Sequence, residues 1–363
     1  MLTRLKKINT ISKYILLLLS AILVLCTSCK KNDPTDQPGP EVFDPTPFEL
    51  VIPQGFPDMD IPDDNQMTVE GVKLGRMLFY DPILSADNTQ SCASCHAQDF
   101  SFTDNGKKFS TGIDGIEGFR NSMSLLNAGW IRGHNWDGSA STLEEQAFEP
   151  VRNPVEMHNT WPQAVAALKA HETYPDLFFD AFGTRDLDST HVVKALAQFE
   201  RTLISGNSKW DRYLRGEVQL SLAETKGFEV FFTEKGDCFH CHSTILFTDN
   251  EFHNNGLDSI FTDRGLYEVT GDPNDIGKFR TPTLRNLVFT APYMHDGRFE
   301  TLEEVIDFYS EGLKFSPTID PLMKNVNEGG VQLTQEEKES LMAFIKTLTD
   351  TTFVNNPEYS NPF

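Results

Sequence analysis

Two pentapeptides constrain this chain more than anything else in it: Cys92-Ala93-Ser94-Cys95-His96 and Cys238-Phe239-His240-Cys241-His242. Two cysteines three positions apart, followed by a histidine, suit covalent attachment to the two vinyl groups of one porphyrin. The histidine then lies beneath the ring and can ligate the iron. Zinc knuckles and redox dithiols use the same spacing. Of the six cysteines in the chain, however, four belong to these motifs and only Cys26 and Cys29 lie elsewhere, near the N-terminus. Two complete motifs that use every other cysteine favour haem c over zinc and leave no thiol for a structural disulfide. A domain built this way is small, and a buried porphyrin supplies much of its apolar core.

Residues 1–28 read as a signal segment. Arg4, Lys6, Lys7 and Lys13 precede an apolar run from Tyr14 to Cys26, which is short for a bilayer span. Thr27 and Ser28 before Cys29 form a lipoprotein-like cleavage box, with Cys29 as the lipid-bearing first residue; the alternative is a soluble precursor that is simply cleaved. Residues 29–64, rich in Pro, Asp and Gln at their start, read as a flexible tether. The expected location is the periplasm, with membrane contact only through the lipid anchor. The formal net charge is −22, and the leader carries none of the acidic residues, so the remainder is more acidic still. Such a surface argues against nucleic acid and suits steering of a basic redox partner such as a small cytochrome c, though it also serves plain solubility.

The body of the chain repeats itself. Gly75-Arg76-Met77-Leu78-Phe79 before the first motif and Phe102-Thr103-Asp104-Asn105 after it are echoed by Gly227-Phe228-Glu229-Val230-Phe231 and Phe247-Thr248-Asp249-Asn250 around the second. Phe119-Arg120 and Asn127 recur as Phe279-Arg280 and Asn286. Trp136-Asp137-Gly138 with Thr142-Leu143-Glu144-Glu145 recurs as His295-Asp296-Gly297 with Thr301-Leu302-Glu303-Glu304. Thr142 and Thr301 are expected N-caps, with Glu145 and Glu304 closing capping boxes. Helical patterning also runs over 191–203 and 334–348. The expectation is a mostly α fold of two tandem cytochrome c-like haem domains related by internal duplication, over 65–215 and 216–352, with a tail at 353–363.

The two copies differ where a distal ligand would stand. Eight residues after each capping threonine come Pro150 in the first copy and Tyr309 in the second. Proline has no ligating atom, so the first haem is expected to be open, whereas a phenolic oxygen can close the second. Tyr309 could equally be a core aromatic, and Met323, in a later loop, is a rival ligand.

These motifs resemble the bacterial di-haem cytochrome c peroxidases, the superfamily that includes the MauG-type oxidases. The resemblance runs from about Val69 to Leu348 and rests on both Cys-x-x-Cys-His sites, Leu126-Asn127-Ala128, Trp136-Asp137-Gly138, Gln146, Pro154-Val155-Glu156-Met157 and the segment from Pro282 to Gly297. It implies two haems c, with Trp136 as an electron relay between them. Glu156 and Gln146 become the distal pair at the first haem, and calcium is held by Asn121 with the carbonyls of Thr290 and Pro292. Residues 110–117 lack the displaceable histidine that the standard peroxidases carry there, and Tyr309 replaces their methionine. Both departures point toward the MauG branch. The expected function is reduction of hydrogen peroxide at the N-terminal haem, with electrons from a small cytochrome c or another periplasmic donor entering through the C-terminal haem. The alternatives are an oxidase that modifies a protein side chain and a non-catalytic electron carrier; a homodimer is allowed. His240 receives no role, and His253 reads as an ordinary surface or core residue.

Overall fold

Short polar caps start most of the helices. In the computed structural model, which describes residues 42–363, Thr68 caps α1 (Val69–Tyr80) by accepting from the Gly71 amide. There follow α2 (Leu143–Arg152), α3 (Trp161–Ala170), α4 (Tyr174–Phe182) and α5 (Ser189–Arg201). The second half holds α6 (Lys209–Leu214), α7 (Leu222–Phe231), α8 (Phe239–His242), α9 (Tyr267–Thr270), α10 (Leu302–Glu311), α11 (Gln335–Lys346) and α12 (Thr351–Val354). The sheet content of the described residues is one antiparallel pair, β1 (Phe252–His253) with β2 (Phe279–Arg280). The fold is therefore mostly helical with little sheet, and residues 43–363 form one compact unit. The signal segment, Cys29 and the first part of the expected tether lie outside the described residues.

Each half is organised by one close helix crossing. At Gly75 in α1, an added Cβ would come within 1.9 Å of the Ala195 carbonyl oxygen in α5. At Gly227 in α7, it would come within 1.9 Å of the Ser340 carbonyl oxygen in α11. Only glycine lets the backbones approach so closely. Beside the first crossing Phe79 and Phe199 pack with ring centroids 5.3 Å apart, and beside the second Phe231 and Phe344 pack at 5.2 Å, all four fully buried. Asn127 and Asn286 both adopt left-handed backbone. Their side-chain oxygens accept from the amides of Ser205 and Asp350, at 2.8 and 2.6 Å, just beyond α5 and α11.

Three expectations change in detail. The tether of 29–64 is not free in its described part: Val69 N donates to Thr46 O at 2.9 Å, and Phe56 packs edge-on against Trp130 at 5.4 Å. The Trp130 indole in turn donates to Pro57 O at 3.0 Å. Proline-rich composition hid the anchors Ile52, Phe56 and Met59, which dock as apolar surface leaving water. The tail from 353 also folds back, burying Phe353, while Arg76 donates to Ser360 O and Pro357 O, both at 2.7 Å. Thr301 has its full capping box, whereas Glu145 reaches the Ser141 amide at 2.8 Å instead of that of Thr142.

The helix crossings generate a stability prediction. Gly227→Ala should destabilise the haem-loaded protein by about 1–3 kcal/mol, as overpacking does, while Gly118→Ala, where the nearest atom is 3.7 Å from the new Cβ, should be close to neutral. Chemical denaturation of the two variants checks this, and equal midpoints would contradict the crossing.

Candidate active site

The two attachment motifs are tight turns whose histidine amides close on the first cysteine: His96 N donates to Cys92 O at 3.0 Å and His242 N to Cys238 O at 3.1 Å. None of the four thiols is in a disulfide. His96 Nδ1 lies 2.9 Å from the Phe102 carbonyl oxygen, and His242 Nδ1 lies 2.8 Å from that of Phe247. A carbonyl accepts, so Nδ1 carries the proton and Nε2 keeps its lone pair for a metal. Burial lowers the pKa of both rings and favours this neutral form. Phe102 and Phe247 stand at φ 62 and 54, a costly region for a bulky residue. The repeated Phe-Thr-Asp-Asn segment thus holds a strained residue that turns a carbonyl onto the ligand histidine.

A cavity of about 260 Å³ opens beside the second motif, bordered by Cys238, Cys241, His242, Tyr309, Leu341 and Ile345. Arg280 also borders it, and among the described residues this buried guanidinium has no carboxylate partner; burial pulls its pKa down to about 10. Its repeat counterpart Arg120 is instead held by Asp137 and Asp263. An apolar cavity with two thiols, one imidazole and an unneutralised cation fits a porphyrin, which brings two propionates. The residues present therefore fit haem c.

Tyr309 stands where the repeat predicts a distal group. Its hydroxyl accepts from Asn255 Nδ2 at 3.0 Å, and desolvation pushes its pKa up to about 12 despite that donor. Met294 and Met323 border the same cavity. Sequence reading missed Asn255, whose one signal was its place in the polar run after β1.

On the first haem's side, Glu156 is held by one side-chain and one backbone hydrogen bond. Asn153 Nδ2 donates to its Oε1 at 2.6 Å, and Ile113 N donates to its backbone oxygen at 3.0 Å. The loop carrying Ile113 closes on itself through Gly112 N to Ile116 O and Gly118 N to Ser110 O, both 2.9 Å. Gly112 lies so close that an added Cβ would sit 2.4 Å from the Val155 oxygen. The histidine-free loop is thus a roof fixed to Glu156. Burial raises the Glu156 pKa, with the Asn153 donor opposing. Pro150 sits inside α2, where its missing N–H leaves the Gln146 carbonyl without a helical partner. Gln146 and Pro150 are one turn apart on the same helix face, and the Gln146 amide makes no side-chain hydrogen bond among the described residues.

Trp136 borders the cavity together with Ser122, Met123 and Ser124, and Ser122 Oγ donates to Cys95 O at 3.0 Å. Its Nε1 donates to Asn121 O at 2.9 Å. Asn121 Nδ2 donates to the carbonyls of Lys107 and Lys108, and Asn121, Thr290 and Pro292 border one cavity. His295, opposite Trp136 in the repeat, stacks flat on Phe279 at 3.7 Å. His253 is a partly buried residue between Asp249 and Asp320, at 2.9 and 2.6 Å, and Asp249 leads the rise of its pKa. Glu200, also missed, is buried with Oε2 unpartnered, and desolvation lifts its pKa to about 8.

Paired haem-binding turns on a helical scaffold define a di-haem c-type oxidoreductase. The chain belongs to the di-haem cytochrome c peroxidase family, whose model matches residues 69–219. It is 37% identical over 289 residues to the methylamine utilization protein MauG of Methylorubrum extorquens, covering 79% of this chain and 80% of that one. It is 32% identical over 300 residues to the cytochrome c551 peroxidase of Nitrosomonas europaea, covering 80% and 82%. A crystal structure of a MauG-like protein associated with microbial copper homeostasis matches with TM-score 0.81 and 37% identity, over 87% of this chain and 99% of that one. Membership of this family brings two haems c. Among the described residues no helix is long and apolar enough to cross a membrane.

Protein matured with a cytochrome c assembly system should show an intact mass increased by two haems, and a Cys238→Ala/Cys241→Ala variant should show one. One haem in the wild type, or zinc in place of haem, would contradict the site.

Proposed function

We propose that this chain is a peroxide-driven oxidase of the MauG type. It reduces hydrogen peroxide at the haem of Cys92, Cys95 and His96, and it draws the two electrons from a protein partner. The second haem is held by Cys238, Cys241, His242 and Tyr309, with Trp136 as the relay. The observation that carries this reading is Glu156, buried, anchored by Asn153 and roofed by a loop without a histidine. A haem bound there would supply an iron at which the peroxide O–O bond can be reduced.

The protein's own groups manage the protons. Asn153 holds Glu156 Oε1, so Oε2 is the atom free to take a proton from the near peroxide oxygen and return it to the far one. Burial moves the Glu156 pKa toward neutrality, which suits a group that must both accept and donate. The unbonded Gln146 amide, on the face of α2 that carries Pro150, orients the peroxide. The balance is one peroxide, two protons and two electrons to two waters.

The wider reading is that residues 65–215 and 216–352 are duplicated haem domains. The paired glycine crossings, left-handed asparagines and Phe-to-His carbonyl bonds support it. Calcium at Asn121, Thr290 and Pro292, and a periplasmic location with a lipid at Cys29, belong to the same proposal. A second reading, an ordinary peroxidase fed by a cytochrome c, is favoured by Met294 and Met323 beside Tyr309, since a thioether ligand suits a haem that stores reducing electrons.

Fully oxidised enzyme mixed with peroxide should react without prior reduction, and Glu156→Gln should slow that reaction by roughly a hundred- to ten-thousand-fold with haem content unchanged. Absence of reaction until one haem is reduced would overturn the reading. Asn153→Ala removes the donor that lowers the Glu156 pKa, so the acidic limb of the rate profile should move to higher pH; an unmoved limb would assign that limb to another group.

A further inference from the structure

The roof over Glu156 continues directly into an aromatic chain that ends at Trp136. Phe119 is 67% exposed, and the Arg120 guanidinium lies 5.2 Å from its ring centroid and 5.9 Å from that of Phe279. Phe279 stacks on His295 at 3.7 Å with an interplanar angle of 12°, and His295 meets Trp136 edge-on at 6.4 Å. Asp137 and Asp263 clamp Arg120, which fixes the one non-aromatic member of the series. Burial lowers the His295 pKa, so this imidazole is a neutral ring between two others. Tunnelling falls steeply with gap width, and no gap along this series exceeds 6.4 Å.

The outer end of the chain has the make-up of a contact surface. Ile116 and Phe119 are exposed apolar residues on the loop of 110–119, and the same loop exposes Asp114 and Glu117 and carries no lysine or arginine. Asp114 meets His158. The lysines just before the loop are engaged, Lys107 with Asp104 and Lys108 over the Phe109 ring. Arg120 is neutralised by its two carboxylates. Aromatic centre and acidic rim, on a chain of net charge −22, complement a basic protein face.

We infer that the Ile116–Phe119 loop is the docking surface for a basic electron-donating protein, and that its electrons reach Trp136 through Phe119, Arg120, Phe279 and His295. This rests on the peroxide-driven reading above. The partner loses two electrons in single steps, and these reduce one peroxide to two waters with two protons from solvent. Phe279 and His295 act by position, as the medium between the contact and the relay.

The probe is a reduced mitochondrial cytochrome c, a small basic protein, with the haem-loaded full chain. Phe119→Ser and Glu117→Lys should each raise the KM for the cytochrome on the order of tenfold at low salt, and the Glu117→Lys effect should vanish at high ionic strength. Phe279→Leu should lower kcat and leave KM unchanged. The reaction of peroxide with Phe119→Ser alone, without cytochrome, should match wild type. KM values within twofold of wild type for both loop variants would overturn the docking surface, and an unchanged kcat in Phe279→Leu would overturn the route. Equilibrium binding of the cytochrome to the resting enzyme separates this test from the chemistry. Loss of binding in Glu117→Lys supports the surface even if peroxide does not react, whereas no binding by the wild-type chain overturns it.

Discussion

The hydrogen bond from each ligand histidine to a phenylalanine carbonyl is the interaction on which the rest depends. A porphyrin tethered by two thioethers can still tilt, and its iron needs an imidazole of fixed tautomer and orientation. Phe102 and Phe247 supply that by holding left-handed backbone, at a cost of about 1–3 kcal/mol each. The surrounding helices must over-determine this strain. They do so by crossing at Gly75 and Gly227, where missing side chains let α1 and α7 press onto α5 and α11 close behind the turns.

With the proximal side built alike in both halves, the chemistry diverges on the distal side. One side carries a buried carboxylate, bonded by Asn153 through one oxygen, under a loop without a histidine. The other carries a buried phenol held by Asn255 and flanked by thioethers. The Trp136 indole N–H donates to the backbone oxygen of Asn121, whose backbone N–H donates to the His295 carbonyl at 2.7 Å. The same asparagine therefore ties Trp136 to the aromatic stack that runs outward to Phe119.

Much of this was legible in the letters. The attachment motifs, both capping threonines, Pro150 and Tyr309 follow from local spacing and from laying one half on the other. The contacts that tune the site were not legible, because they join short polar residues to partners far along the chain. Nothing in Asn255 announces that it will meet Tyr309, and Asn153 is visible only as a residue before a proline. Arg280 was half visible. Its repeat partner Arg120 finds two carboxylates, and only the structure reveals that Arg280 finds none. The segment of 43–64 was misread because proline-rich composition outweighed three well-spaced apolar anchors.

The central claim is that one haem is open and the other closed by Tyr309. Electron paramagnetic resonance of the resting ferric protein tests it most directly. The account predicts an axial high-spin signal from the Glu156 side together with a separate low-spin signal that changes in Tyr309→Phe. Two low-spin haems, or a low-spin signal indifferent to Tyr309→Phe and accompanied by a methionine–iron charge-transfer band, would contradict it.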